Sequence, residues 1–200
     1  MTIIGLTGTS GSGKNTVAKV FERFQIAHID CDELARRVTR RGQPCVQELA
    51  ERFPGVLNVD GSLNRRALAE RCFTDENNLK SLNEITHRHI LLEVDRRMAE
   101  LEAEGFQYVC VNGAALIESG FNKRCDVMVC IHASRKTRIK RIVERDLLST
   151  KEAEERIDAQ RGDEYYSDGA DYTIENNGKP DDLFERAAAV ALQITQKGAV

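Results

Sequence analysis

The chain has 200 residues, 41% of them hydrophobic, and a formal net charge of -3. That is apolar material for one substantial core rather than two ordinary domains, and the weak acidity excludes the clustered-cation footprint of a nonspecific nucleic-acid or anionic-membrane binder. No apolar stretch approaches the roughly 20 residues that cross a bilayer, and Cys31, Cys45, Cys72, Cys110, Cys125 and Cys130 show no C-x-x-C pair, no metal-ligand spacing and no secretory leader ahead of them, so reduced thiols, a cytoplasmic location and no membrane or nucleic-acid partner are expected.

Ile3 to Thr7 is a short apolar run closed by glycines, which predicts a strand. Gly8-Thr9-Ser10-Gly11-Ser12-Gly13-Lys14 follows and fits G-x-x-x-x-G-K. A helix beginning near Lys14 then places Val17, Val20, Phe21 and Phe24 at helical spacing. In this context glycines let backbone N–H groups converge on phosphate oxygens, the helix adds its positive end, and Lys14 supplies a full charge. The residue after the lysine should be Ser or Thr, whose hydroxyl ligates Mg²⁺; here it is Asn15, followed by Thr16. An amide oxygen can ligate a hard cation, but Asn is one bond longer than Ser, and Thr16 lies about 100° further round the helix. The expectation is a weakened or water-mediated Mg²⁺ contact at Asn15.

Ile26 to Ile29 reads as a second strand ending at Asp30, and Asp30-Cys31-Asp32 opens a helix containing Ala35 and Arg36. Both carboxylates fall near the sheet edge where a γ-phosphate should point, and Asp32 taken by itself reads as a helix cap paired with Arg36. The interval from 32 to 105 holds more helix than one crossover needs, with Arg65 to Cys72 and Asn78 to Glu104 both patterned, and so predicts an insertion. Tyr108 to Val111 and Val127 to Ile131 are continuous apolar runs suited to strands buried on both faces, and Tyr172 to Ile174 reads as the last strand. Helices are predicted over Arg135 to Arg145, Thr150 to Gln160 and Asp181 to Gln196. Strands alternating with helices predict an α/β fold with a parallel sheet covered on both sides, whose ligands bind at the carboxyl edge. Arg138, Arg141 and Arg145 share one helix face, fit either to meet a phosphate or to be neutralised by Glu144 and Asp146.

Gly5-Leu6-Thr7-Gly8, the glycine loop and Asp30-x-Asp32-x-x-Ala35-Arg36 together resemble the dephospho-coenzyme A kinase family. The resemblance continues through Gly61-x-Leu63-Asn64-Arg65-x-x-Leu68 with Phe73, Leu82-Asn83-x-Ile85-Thr86-His87-x-x-Ile90, Glu118, Arg156, Ile157 and Gln160, and Ala170-Asp171-Tyr172-x-Ile174-x-Asn176-Asn177-Gly178. It departs at Asn15, at Arg88 where the family has proline, and at Asn112 to Ala115 where an acidic residue and a proline are replaced. The resemblance implies a three-layer P-loop kinase of one domain, 1–200, with a central five-stranded parallel sheet, a helical acceptor-binding insertion at approximately 32–105 and a lid at approximately 138–162. It implies transfer of the ATP γ-phosphoryl, with Mg²⁺, to the ribose 3′-hydroxyl of dephospho-coenzyme A, by a monomer or weak homo-oligomer.

By the same resemblance, Asp32 is the base, and Lys14, Arg141 and Arg145 stabilise charge or close the lid. Gly8, Thr9, Ser10, Gly11, Ser12, Gly13, Lys14, Asn15, Thr16, Asn176 and Gly178 bind nucleotide. Asp32, Arg36, Arg65, His87 and Glu118 bind the acceptor. Two alternatives remain at this point: a P-loop kinase for another nucleoside or nucleotide, and a nonenzymatic nucleotide-binding paralogue, which the departures favour more than a complete motif set would.

Overall fold

The computed structural model describes residues 1–197; Gly198 to Val200, the end of the expected 1–200 domain, lie outside the described residues. Five strands, β1 (Thr2–Thr7), β2 (Ile26–Asp30), β3 (Tyr108–Asn112), β4 (Val127–His132) and β5 (Tyr172–Glu175), pair in the order β2-β3-β1-β4-β5, and every pairing is parallel. The helices are α1 (Lys14–Glu22), α2 (Cys31–Val38), α3 (Pro44–Arg52), α4 (Arg65–Cys72), α5 (Glu76–Ala103), α6 (Arg135–Asp146), α7 (Thr150–Asp158), α8 (Asp163–Ser167) and α9 (Pro180–Lys197). β1 is central because it is flanked by β3 on one side and β4 on the other, so the chain changes direction across the sheet at β1. The loop leaving its carboxyl end therefore sits at the switch point, where open α/β sheets bind ligands.

The chain divides into two compact units. One comprises Met1–Asp30 and the chain from Glu100 onward. Its core lies where Val17 and Phe21 of α1 and Leu183, Ala187, Ala191 and Ile194 of α9 meet Ile4, Leu6, Cys110, Val129, Ile131 and Ile174 of the sheet. These strand residues come from the continuous apolar runs, because a strand covered by helices has little polar face to show. α1 stops at Glu22, two residues before the expected Phe24: Gln25 adopts a left-handed φ of 60°, which turns the chain into β2. α6 ends in the same way, at Leu147 with φ 55°. α7 starts at a capping box, in which the Ser149 hydroxyl accepts from the Glu152 N–H and the Glu152 carboxylate accepts from the Ser149 N–H. Ile142, Ala153 and Ile157 join α6 to α7 in a small core of their own.

The second unit is Cys31–Ala99. Its core is Val38, Cys45, Leu49, Phe53, Val56, Leu68, Cys72 and Ile85. α3, which apolar spacing alone did not mark, begins at Pro44, whose fixed φ and missing N–H suit a first helical turn. Glu48 ties α3 to α5 by pairing with Arg88 and by lying 2.9 Å from His89 Nε2. Arg88, one of the expected departures, is thus engaged in an ion pair that joins the two helices. Across the described residues none of the six cysteines is in a disulfide, and no helix is long and apolar enough to cross a membrane.

Candidate active site

Residues 8–14 leave β1 and wrap round the start of α1. Gly8 and Gly13 have φ values of 138° and 103°, and a Cβ there would strike the Ile131 carbonyl oxygen or the Asn176 amide respectively. Glycine is needed at both positions for backbone geometry and for close packing. Gly13 caps α1 with no side-chain hydrogen bond and no acidic residue sits in the first turn, so the positive end of the helix is not neutralised locally. Lys14 folds back over the loop, its Nζ donating to the carbonyl oxygens of Gly8 at 2.8 Å and Thr9 at 3.2 Å. The hydroxyls of Thr7 and Ser12 are buried beside it without a hydrogen-bond partner among the described residues. A cationic nest lined by backbone amides is a receptor for phosphate oxygens.

Side chains far away in sequence fix this loop. Arg141 donates from Nη1 to the carbonyls of Gly11 and Ser12, each at 3.3 Å, and from Nη2 to the Asn176 carbonyl at 3.2 Å and side-chain oxygen at 3.0 Å. Asn176 donates from Nδ2 to the Ser12 carbonyl at 2.6 Å. Burial lowers the Arg141 pKa from its ordinary value, and the four acceptors offset the loss of water round the guanidinium. Gln160 accepts from the Ser10 N–H at 2.8 Å. Asp163 accepts from the Thr9 hydroxyl and from Arg138, both at 3.3 Å, with His132 Nδ1 at 3.6 Å. Asp163 carries no sequence signal, because its partners lie up to 154 positions away. Asn176-Asn177-Gly178 is more than a turn: Asn176 braces the loop, Asn177 accepts from the Ser134 N–H at the start of α6 at 2.7 Å, and Gly178 leaves room for Asp182.

Three elements converge at Asn15. Asp30 and Asn112 are register partners at the carboxyl ends of β2 and β3. Asn15, in the first turn of α1, donates from Nδ2 to Asp30 Oδ2 at 3.3 Å and accepts from Asn112 Nδ2 at 2.6 Å. Asn112 is 2% exposed, and its own Oδ1 is buried without a hydrogen-bond partner among the described residues. The donor set at this edge is all oxygen, with one carboxylate, which suits a hard divalent cation that is otherwise ligated by water and phosphate. No cluster of three His, Cys, Asp or Glu exists among the described residues that would suit a dedicated metal cage.

Thr16 is exposed on α1. Arg145 grips Asp146 with two hydrogen bonds of 2.8 Å, and Arg156 adds a third of 2.6 Å. Hydrogen bonding to Arg145 leads the causes that hold the Asp146 carboxyl below its usual range. Glu118 is exposed, and its charge adds to burial in raising the Tyr165 and Tyr166 hydroxyls. Asp32, Arg36, Arg65 and His87 all belong to the second unit. Asp32 lies inside the first turn of α2, which begins at Cys31, rather than capping it. Arg36 is exposed in the last turn of the same helix, Arg65 donates to the Thr39 hydroxyl at 2.8 Å, and His87 is half-buried on α5.

The dephospho-CoA kinase family model matches residues 2–182 of the chain. A dephospho-CoA kinase of Corynebacterium glutamicum is 39% identical over 181 residues, covering 90% of this chain and 93% of the relative. A dephospho-CoA kinase of Geobacter sulfurreducens is 37% identical over 187 residues, covering 93% and 95%. Among solved structures, a dephospho-CoA kinase from Campylobacter jejuni superposes with a TM-score of 0.69 at 23% identity, covering 99% of this chain and 98% of the other, which bears on the fold alone.

Proposed function

The chain belongs to the dephospho-CoA kinase family, and from that membership we propose that it transfers the γ-phosphoryl of ATP to the ribose 3′-hydroxyl of dephospho-CoA. The observation that carries the reading is the phosphate loop itself, glycine-built at the switch point of the sheet, roofed by Lys14 and braced from behind by Arg141 and Asn176. Residues 8–16 receive the triphosphate, Lys14 meets its outer phosphates, and Asn176 and Gly178 border the base. Arg141, with its donors committed to the loop carbonyls, keeps the loop in shape, whereas Arg145 on the 138–162 lid meets the transferred phosphoryl group.

Arg36, Arg65, His87 and Glu118 are the residues assigned to the acceptor. Its hydroxyl oxygen forms a bond to the γ-phosphorus as the bond to the β,γ-bridging oxygen breaks. ADP departs, and Asp32 takes the hydroxyl proton. Mg²⁺, when bound, neutralises charge on the β- and γ-oxygens; the oxygen-rich edge at Asp30, Asn15 and Asn112 supports its place there. Six cysteines with no disulfide among the described residues support a reducing, cytoplasmic setting.

The test is ADP formation from ATP and Mg²⁺ with dephospho-CoA, with nucleoside monophosphates, or with no acceptor. Turnover confined to dephospho-CoA is expected. Turnover with a different acceptor would assign another kinase activity, and saturable ATP binding with no turnover would leave a nucleotide-binding protein only.

A further inference from the structure

We propose that Asn112 and Asn15 act as a two-amide strut that positions the Asp30 carboxylate for Mg²⁺, so that Asn15 supports the metal ligand instead of being it. The proposal rests on the kinase reading above, and it concerns the two asparagines at positions 15 and 112. P-loop kinases hold the metal with a Ser or Thr hydroxyl after the lysine and an acidic residue at a strand end. Here both positions carry asparagine, and the two side chains touch each other at 2.6 Å.

The orientation of the strut follows from the chemistry of its end. A carboxylate only accepts hydrogen bonds, so Asn15 must turn its nitrogen to Asp30, 3.3 Å away. Its oxygen then faces Asn112, which must answer with its own nitrogen. That leaves Asn112 Oδ1 buried and without a partner among the described residues. The arrangement has one self-consistent direction, and it aims an oriented carboxylate at the carboxyl end of the sheet while engaging the Asn15 oxygen elsewhere. Asn15 and Asn112 are therefore a matched pair. Placing serine alone at position 15 takes the 2.6 Å acceptor from the Asn112 nitrogen and removes the Asn15 hydrogen bond to Asp30. Introducing aspartate alone at position 112 sets two oxygens against each other, and turning the Asn15 amide only transfers the clash to Asp30.

The experiment is a double-mutant cycle on the full chain with Asn15→Ser, Asn112→Asp and the pair together. Calorimetry reads the ATP dissociation constant with and without Mg²⁺, and the melting temperature is recorded without ligands. Each single variant is expected to lower the tightening of ATP by Mg²⁺ by roughly fivefold, a modest coupling for residues in contact, and the double variant is expected to return to within about twofold of the parent. Effects that simply add, or a gain in Mg²⁺ dependence from Asn15→Ser alone, would overturn the strut. If Asn112→Asp does not fold, Asp30→Asn carries the test. That variant should keep Mg²⁺-free ATP binding and lose its tightening by Mg²⁺, and retained tightening overturns the proposal. Binding is read without acceptor, so a protein that passes the cycle but makes no ADP with dephospho-CoA disproves the kinase reading and leaves the strut standing.

Discussion

At the scale of single residues, Asp32 is the position where two explanations of one side chain part. A carboxylate in the first turn of α2 favours the positive end of that helix whatever else it does. As a base it acts only while the acceptor hydroxyl loses its proton, and in a loose phosphoryl transition state that loss is late. Asp32→Asn keeps the side chain's shape and removes its basicity. Turnover should fall by about 10²–10⁴ while ATP affinity stays within about twofold. Steady-state kinetics with dephospho-CoA beside calorimetry with ATP separate the roles, since equal losses in both would make Asp32 a binding group. Arg141 teaches the opposite lesson. Its spacing with Arg138 and Arg145 marks a cationic helix face, but its guanidinium is spent on four oxygens of the protein, and Arg138 is buried against Asp163. Three arginines alike in spacing have three different sets of partners.

At the scale of elements, Glu48 shows how one charge fastens two helices. Hydrogen bonds from Arg88 first and His89 second hold its carboxyl below the ordinary value of 4.5. A lowered folded-state value means that the stabilisation is complete above about pH 4.5 and disappears as pH falls through the folded-state pKa. Glu48→Gln removes the charge and should lower the melting temperature at neutral pH. The gap between parent and variant should close as the solution is acidified below about 4.5. Melting curves across that range check the sign, and a gap that stayed constant would show that the carboxylate charge is not what joins α3 to α5. The α3 helix itself was hard to read in advance, since its buried Cys45, Val46 and Leu49 make too short a pattern to stand out before the unit's core gives them partners.

At the scale of the whole molecule, bound nucleotide should appear as stability. ATP at about 100 times its dissociation constant adds roughly 2.7 kcal/mol to the folded state, a rise of about 5–11 °C in melting temperature for a chain of this size. One charge pair at ~4 Å in a partly screened site is worth on the order of 4 kcal/mol before desolvation is subtracted, so Lys14→Met should weaken ATP about 100-fold. The same ATP concentration would then raise the melting temperature by only about 1 °C. Thermal unfolding with and without ATP measures both values, and an undiminished rise in the variant would remove Lys14 from the phosphate site.

The sequence by itself determined the parallel α/β class, the five strands and the phosphate loop. Each rests on interactions between near neighbours: apolar runs that must be covered on both faces, and glycines that free the backbone between a strand and a helix. Which groups brace that loop was decided only by tertiary structure. Gln160, Asp163 and Asn176 reach residues 9–12 because the sheet order sets β4 beside β1 and β5 beside β4. Asn15 and Asn112 each read as an isolated departure until Asp30 and Asn112 fell into register and the N-terminus of α1 came to lie over both. Local spacing carries the information for local geometry, whereas a hydrogen bond across 97 positions depends on how the intervening chain is packed.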